Sequence, residues 1–181
     1  LCDWSSDVCS SDLTCVTFSR DGHLLATSDT NGDLQVWDSR NFQRLTRCQG
    51  HVHWVLSVCF NPEGSLLASG GQDQTIRIWD VKTGQCLKIL SGHQGVITAI
   101  DISPDGATLA SSSQDNTVKL WSLPQGKCLQ TFTGQKAWVW SVKFSIDGQT
   151  LFTASQDQTI KEWHVTTGAC LRTLTGHEHW V

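Results

Sequence analysis

The chain has 181 residues, of which 39% are hydrophobic and 17% are charged, and its formal net charge is −4. This composition predicts a folded globular protein and excludes a disordered chain. No apolar run approaches the ~18 residues of a membrane-spanning helix, and no basic cluster is present, which argues against a membrane or a nucleic acid as the main partner. The opening residues lack a signal-peptide pattern, so the sequence predicts a cytoplasmic location.

The first 13 residues, LCDWSSDVCSSDL, match nothing else in the chain. Asp3–Leu13 resembles the translation of a widely used short-read sequencing adapter, which gives the same residues in one reading frame. A native Ser- and Asp-rich linker would have to match that translation at every position by chance. We therefore interpret residues 1–13 as a non-native segment and exclude them from the fold prediction.

From Thr14 onward the sequence repeats every 42 residues without an insertion or a deletion. The turn sequences SRDG, NPEG, SPDG and SIDG fall in one register, and so do four tryptophans and four glycines: Trp37, Trp79, Trp121 and Trp163, with Gly50, Gly92, Gly134 and Gly176. The period predicts units at about 14–48, 51–90, 93–132 and 135–174, and the start of another at 177–181. Both ends fall inside a unit, so we expect a fragment of a longer repeat protein.

Each unit is predicted to form four short strands. In the second unit, alternating residues indicate strands at Leu56–Phe60 and Thr75–Trp79, and short apolar runs indicate strands at 66–69 and 86–90. No segment shows the apolar period of a helix. A four-stranded sheet of this size cannot bury both faces alone, so neighbouring units are expected to pack face to face.

The segment GHVHWVLSVCFNPEGSLLASGGQDQTIRIWD, residues 50–80, resembles a WD repeat, with Gly50–His51 at its start and Trp79–Asp80 closing its third strand. The resemblance extends over residues 14–181. It implies an all-β fold, a β-propeller of four-stranded antiparallel blades, here an incomplete arc of four blades and the start of a fifth. It also implies a non-catalytic scaffold without a cofactor, which binds a protein or peptide on one loop face.

The resemblance further implies a buried hydrogen-bonded network inside each blade. A histidine can bridge a carboxylate and a hydroxyl, and the hydroxyl can accept the indole N–H, so that every buried polar group has a partner. Two units have the full set: His51, Ser69, Asp73 and Trp79 in the second, and His93, Ser111, Asp115 and Trp121 in the third. The first unit has Thr27, Asn31 and Trp37, and the fourth has Thr153, Asp157 and Trp163.

Three positions depart from this pattern. Cys9 and Gln135 stand where the other units have the histidine, and Glu162 stands where they have Val36, Ile78 and Leu120. A carboxylate on a core-facing strand is costly unless it is paired or solvated. The sequence leaves open whether Glu162 marks a degenerate blade, a local function or a sequencing error.

Catalytic and metal-binding interpretations have little support. The Ser, His and Asp set occurs in two units with a tryptophan each time, which suits a structural network better than one active site. No GxSxG or P-loop motif is present. The histidine pairs at 51–53 and 177–179 lack a third ligand, so no metal site is predicted.

The eight cysteines include three at one repeat position, Cys86, Cys128 and Cys170. Equivalent positions in successive units do not suggest bonded pairs. We interpret the cysteines as small buried side chains in a reducing compartment.

The loops before the first strand and after the second strand of each unit are expected on one face. We predict that this face binds the partner, because surface tryptophan is common in binding hot spots. Packing of some of these rings between blades or against a central channel is the alternative. The predicted residues are Trp54, Trp138, Trp140, Trp180, His53, Gln72, Gln114 and Gln156.

The segments WVWSV and DQTIKEWHVTTGACLRTLTGH are similar to the C-terminal propellers of large bacterial nucleotide-switch ATPases. This resemblance implies an alternative function, a sensor or autoinhibitory propeller of a larger nucleotide-binding signalling protein. The partner, the total blade number and any further domains remain open. A four-bladed arc is also expected to self-associate, because its outer blade faces lack neighbours.

Overall fold

The computed structural model describes residues 12–179. Within that range the chain forms sixteen strands and no helix, and the strands make four antiparallel sheets of four. Each sheet uses consecutive strands in sequence order, so hairpins connect all of its neighbours. This architecture confirms the all-β prediction of an open arc of four propeller blades, which we number 1 to 4 in chain order.

The strand bounds follow the 42-residue period closely. Blade 1 contains β1 (Leu13–Phe18), β2 (Leu24–Asp29), β3 (Leu34–Asp38) and β4 (Arg44–Cys48). Blade 2 contains β5 (Val55–Phe60), β6 (Leu66–Gly71), β7 (Thr75–Asp80) and β8 (Cys86–Ser91). Blade 3 contains β9 (Ile97–Ile102), β10 (Thr108–Ser113), β11 (Val118–Ser122) and β12 (Lys127–Phe132). Blade 4 contains β13 (Val139–Phe144), β14 (Thr150–Ser155), β15 (Ile160–His164) and β16 (Cys170–Leu174).

Two predicted segments fall at the limits of the described residues. Leu13, which we assigned to the non-native segment, lies in β1, and Asp12 accepts a hydrogen bond from the Thr30 backbone N–H at 3.0 Å. Residues 1–11 and Trp180–Val181 lie outside the described residues, and 175–179 form no strand.

The first hairpin of each blade has a turn built by its own side chains. In blade 2 the Gly64 N–H donates to the Asn61 carbonyl at 2.9 Å, and the Asn61 side chain accepts from the Leu66 N–H at 2.8 Å. Gly64 has φ +68°, which glycine adopts without strain. The turn residues therefore fix the hairpin register from which the strands run.

The core lies mainly between blades. The first strands β1, β5, β9 and β13 lie side by side along the inner edge of the arc. Three apolar clusters fill the three spaces between neighbouring blades. In blades 1 to 3 the third-strand aliphatic residue shares a cluster with the tryptophan of the next blade, as Val36 and Trp79 illustrate. This packing satisfies the expectation that one sheet needs its neighbour to bury its faces.

The six described cysteines are all unbonded, which fits the prediction, but the prediction that they are buried is only partly right. Cys48 and Cys59 are buried, and burial raises the pKa of the Cys48 thiol to about 11. Cys128 and Cys170 are exposed, because the outermost strand of each blade has one edge in solvent. The described part of the chain contains no helix long and apolar enough to cross a membrane.

Candidate functional site

A relay of three hydrogen bonds lies inside blade 2. The Trp79 indole Nε1 donates to Ser69 Oγ at 2.7 Å, His51 Nε2 lies 2.7 Å from Ser69 Oγ, and His51 Nδ1 lies 2.8 Å from Asp73 Oδ2. With the ring proton on Nδ1, His51 donates to the carboxylate and accepts the Ser69 hydroxyl proton. The three hydrogen bonds then run in one direction, from the Trp79 indole donor to the Asp73 carboxylate acceptor. We call this arrangement the relay.

Blade 3 repeats the relay almost identically. Trp121 Nε1 donates to Ser111 Oγ at 2.8 Å, and His93 lies 2.7 Å from Ser111 Oγ and 2.8 Å from Asp115 Oδ2. The serine, the histidine and the tryptophan are buried, so the relay satisfies polar groups that water cannot reach.

The carboxylates of the two relays are held in the ionised form. Burial alone would raise the pKa of Asp73, but hydrogen bonds from His51 and Thr75 outweigh burial and lower this pKa to about 2. Burial also opposes ionisation of Asp115, but hydrogen bonds from His93 and Thr117 lower its pKa well below the ordinary range.

Blade 4 keeps only part of the relay. Trp163 Nε1 and Gln135 Nε2 both donate to Thr153 Oγ1, at 2.9 and 2.7 Å. The buried Gln135 Oε1 has no hydrogen-bond partner among the described residues. Asp157 accepts from the Lys136 backbone N–H at 2.9 Å, as Asp115 does from the Gln94 backbone N–H in blade 3. Sequence reasoning identified the missing histidine but not that glutamine would hold the threonine hydroxyl.

Blade 1 shows the smallest part of the network. Trp37 Nε1 donates to Thr27 Oγ1 at 3.0 Å, and Cys9 lies outside the described residues. The carboxylate of Asp29 accepts from the backbone N–H groups of Asn31 and Asp33 at 2.9 and 3.0 Å. Asp29 therefore orders the loop that the aspartate of the relay orders in blades 2 and 3, a role that sequence reasoning missed.

Glu162 is paired within its own blade. Its carboxylate lies 3.3 Å from Arg172 Nε, and the two residues face each other across β15 and β16. The Glu162 side chain is 16% exposed, so the carboxylate is both paired and partly solvated. The cross-strand register could have predicted this ion pair, because opposite charges favour directly opposed positions.

Within residues 12–179, the loops that carry the residues we assigned to partner binding lie next to each other. The loop after the second strand is joined to the loop before the first strand by backbone bonds, such as that from Gln72 N–H to the Trp54 carbonyl at 2.9 Å and from Gln156 N–H to the Trp138 carbonyl at 2.8 Å. The Gln114 N–H donates in the same way to the carbonyl of residue 96. Trp54, His53 and Gln72 are exposed, and Gln114 and Gln156 are half-buried.

The tryptophans of this face differ in exposure. Trp54 and Trp138 are 52% and 41% exposed, at equivalent positions of blades 2 and 4. Trp140 is half-buried, and its ring meets the Trp138 ring edge-to-face with centroids 5.7 Å apart. Trp180 lies outside the described residues. We call Trp54, Trp138, Trp140, His53 and the three glutamines the tryptophan face.

No group of three or more His, Cys, Asp or Glu side chains within residues 12–179 is arranged to hold a metal ion. The serine, histidine and aspartate of each relay are directed into the blade, and the tryptophan is the fourth residue of the hydrogen-bonded set. The arrangement can hold loops and strands in position, and the tryptophan face can supply contact area.

Four similar blades, each with a third-strand tryptophan that donates to a hydroxyl, define a β-propeller repeat protein. The WD domain, G-beta repeat family matches residues 4–38, 42–80, 84–122 and 126–164, so the chain belongs to this family. Each of the last three matches contains the fourth strand of one blade and the first three strands of the next blade. The sequence repeat is therefore offset by one strand from the four-stranded sheet. WD repeats commonly mediate protein–protein interaction, and propellers of this kind are typically non-catalytic. No curated protein matches the chain.

Proposed function

We propose that the chain is a non-catalytic scaffold that binds a protein or peptide through the tryptophan face. The observation that carries this proposal is the contrast between two sets of tryptophans. Trp79, Trp121 and Trp163 are buried and donate to a hydroxyl, whereas Trp54 and Trp138 are exposed on one loop face. The buried set accounts for the fold, and the exposed set has no comparable structural role.

The chemistry of the face favours an apolar anchor on the partner. Each tryptophan can bury ~150–250 Å² of surface and loses little conformational freedom on binding. The neighbouring histidine and glutamine side chains supply hydrogen-bond donors and acceptors around the rings. A peptide with an aromatic or aliphatic side chain between the rings, and polar groups around it, fits this arrangement.

Alanine substitution tests the proposal. A peptide selected from a random displayed library on the intact chain serves as the probe, and its affinity is measured by calorimetry. Trp54→Ala and Trp138→Ala should each weaken binding by more than about 1 kcal/mol while leaving the melting temperature nearly unchanged, because about half of each side chain is exposed and neither belongs to a buried core cluster.

The matched controls are Lys82→Ala and Lys127→Ala, which change exposed residues in and beside the loops that join the third and fourth strands, on the opposite face. Neither should alter affinity or melting temperature. A large fall in melting temperature with unchanged affinity for both tryptophan variants would show that the rings are packing residues, and the proposal would be abandoned.

The alternative function is a sensor or autoinhibitory propeller of a larger nucleotide-binding signalling protein. It is supported by the close similarity of successive units, such as SQDQTI in blade 4 and GQDQTI in blade 2. The unbonded cysteines suit the reducing cytoplasm in which such a protein would act. Sequencing the source gene tests this alternative, because a P-loop encoded upstream would favour it.

We also propose that Asp3–Leu13 derives from a sequencing adapter and is not encoded next to Thr14. The support is the match of this segment to the adapter translation. Long-read sequencing of the source locus should lack this junction, and recovering it in genomic DNA would overturn the proposal.

A further inference from the structure

The same turn joins the second and third strands in all four blades. In each blade one backbone N–H of this turn donates to the carbonyl oxygen three residues earlier, and the residue that carries this N–H has a positive φ. In blades 2, 3 and 4 that residue has a side chain and follows an aspartate: Gln74, Asn116 and Gln158, after Asp73, Asp115 and Asp157. Blade 1 instead has Gly32 at this position, with φ +89°, and Asn31 before it. Of the four turns, that of blade 1 therefore carries an Asn–Gly pair.

The two residues of this pair can react with each other. The backbone nitrogen of Gly32 can close a ring on the side-chain carbonyl carbon of Asn31, and glycine favours this step because it has no side chain to obstruct the approach and its backbone is conformationally free. Asn31 is exposed, and its side chain makes no hydrogen bond to another residue within 12–179. The Gly32 N–H donates to the Asp29 carbonyl at 3.4 Å, which is longer than a typical hydrogen bond and is the longest of the four turns. Both reacting groups are therefore weakly held.

We propose that Asn31 and Gly32 form a site of spontaneous deamidation. The Gly32 nitrogen attacks Asn31 Cγ and forms an N–Cγ bond, the Cγ–Nδ2 bond breaks, and the amide nitrogen leaves as ammonia with the proton of the Gly32 N–H. The product is a succinimide. Water then adds to one of the two carbonyl carbons of the succinimide and breaks the bond of that carbon to nitrogen. Opening at Cγ gives an aspartate, and opening at the backbone carbonyl carbon gives an isoaspartate.

The two products have different consequences for the fold. An aspartate in place of Asn31 stands where blade 2 has Asp73, at the position of the relay carboxylate. An isoaspartate inserts a methylene into the backbone of a turn that has no spare space, because a Cβ on Gly32 would lie 2.5 Å from the His51 carbonyl oxygen and 2.9 Å from that of His53. The displaced segment would carry the histidine of the blade 2 relay and part of the tryptophan face. Formation of isoaspartate should therefore lower the melting temperature.

The other described asparagines lack one or more of these features. Asn41 is exposed but precedes Phe42, and Asn116 is half-buried and precedes Thr117, whose β-branched side chain obstructs the approach of the backbone nitrogen. Asn61 precedes a proline, whose nitrogen carries no proton that could leave with ammonia. We expect each of the three to keep its amide under conditions in which Asn31 loses it.

Ageing of the intact folded chain tests the proposal. After incubation in mildly alkaline buffer, trypsin releases peptides 21–40, 41–44 and 89–119, which contain Asn31, Asn41 and Asn116 in turn. Peptide 21–40 should gain the small mass that accompanies replacement of an amide by a carboxyl group, and isoaspartyl methyltransferase should methylate it. The other two peptides should show neither change. Asn31→Gln should abolish both signals and the fall in melting temperature, because its longer side chain does not close the same ring.

Phe42→Gly is the matched control. Phe42 is exposed and has φ +56°, so this change places an Asn–Gly pair in a second turn without removing a buried contact, and peptide 41–44 should then deamidate. Conversion of Asn31 should be faster at higher pH, since the Gly32 N–H must lose its proton before the attack. Persistence of the Asn31 amide would overturn the proposal, and reaction at Asn41 of Phe42→Gly in the same incubation would show that the blade 1 turn protects its pair. A rate that does not rise with pH would also overturn the proposal, because it would indicate direct hydrolysis of the amide.

Discussion

Blades 3 and 4 share their strands and their buried tryptophan but differ in the network around that tryptophan. In blade 3, His93 links Ser111 to Asp115, whereas in blade 4 Gln135 holds Thr153 and its side-chain oxygen has no hydrogen-bond partner within residues 12–179. The blade nevertheless keeps the tryptophan-to-hydroxyl bond at 2.9 Å. The comparison indicates that both blades depend on this bond and on the packing of the indole, and we call these two features the shared minimum. The histidine–aspartate pair adds stability to the shared minimum.

The largest expected effect comes from removing the shared minimum. Trp79→Ala should reduce the free energy of unfolding by about 3–5 kcal/mol, because it opens a cavity and leaves the Ser69 hydroxyl without the indole donor. Trp37→Ala should cost less, because Trp37 on blade 1 is half-buried and Trp79 is fully buried. Urea unfolding of the two variants measures the difference.

Trp79→Phe is the control that separates the hydrogen bond from the cavity. It should cost about 1–3 kcal/mol, since it keeps most of the ring volume but removes the indole N–H. Equal losses for Trp79→Ala and Trp37→Ala would contradict the role that we give to burial.

The relay is expected to contribute the next largest amount. His93→Ala should cost about 1–3 kcal/mol, because it leaves Ser111 and Asp115 without their shared partner. Gln135→Ala should cost less, because it removes one hydrogen bond and at the same time removes an unpaired buried oxygen. Chemical denaturation of both variants tests this order, and a larger loss for Gln135→Ala would show that blade 4 depends on its glutamine.

Acid should weaken the blades that have a relay. The pKa of Asp73 is lowered from 3.8 to about 2 in the folded chain, so its contribution is complete above about pH 4 and is lost as the pH falls through about 2. The loss amounts to about 2 kcal/mol for this carboxylate, at roughly 1.4 kcal/mol per pKa unit. Unfolding free energies at about pH 7 and about pH 3 should therefore differ less in Asp73→Asn than in the unaltered chain. The same pH dependence in both proteins would exclude Asp73 as a source of acid sensitivity.

The repeated parts of the molecule could be predicted from the sequence, and the singular parts could not. The 42-residue period gave the four-stranded blades and their face-to-face packing, because each unit repeats the same turns and apolar positions. The Gln135–Thr153 bond and the Asp29 loop were not predicted, since each depends on a residue found in one unit only. The Glu162–Arg172 pair was missed, although the cross-strand register places the two residues opposite each other. The exposure of Trp54 depends on loop conformation, which the period does not determine.

The smallest expected effect comes from exchanging the residues that distinguish blades 3 and 4, which are His93 and Gln135. Gln135→His should increase the free energy of unfolding by about 0.5–1.5 kcal/mol, because a histidine can accept the Thr153 hydroxyl proton and donate to Asp157. The unpaired oxygen would be removed, and the pKa of Asp157, already lowered by its hydrogen bonds to Lys136 and Thr159 against the effect of burial, should fall further.

The reciprocal change His93→Gln should reproduce the blade 4 arrangement in blade 3 and destabilise the chain. Thermal melts give the stability changes, and NMR titration of the Asp157 carboxyl gives the pKa. Because threonine carries a methyl group that Ser111 lacks, Gln135→His should also be combined with Thr153→Ser, which removes any crowding of the imidazole. If neither form of blade 4 gains stability and His93→Gln has no effect, the relay contributes nothing beyond the tryptophan-to-hydroxyl bond.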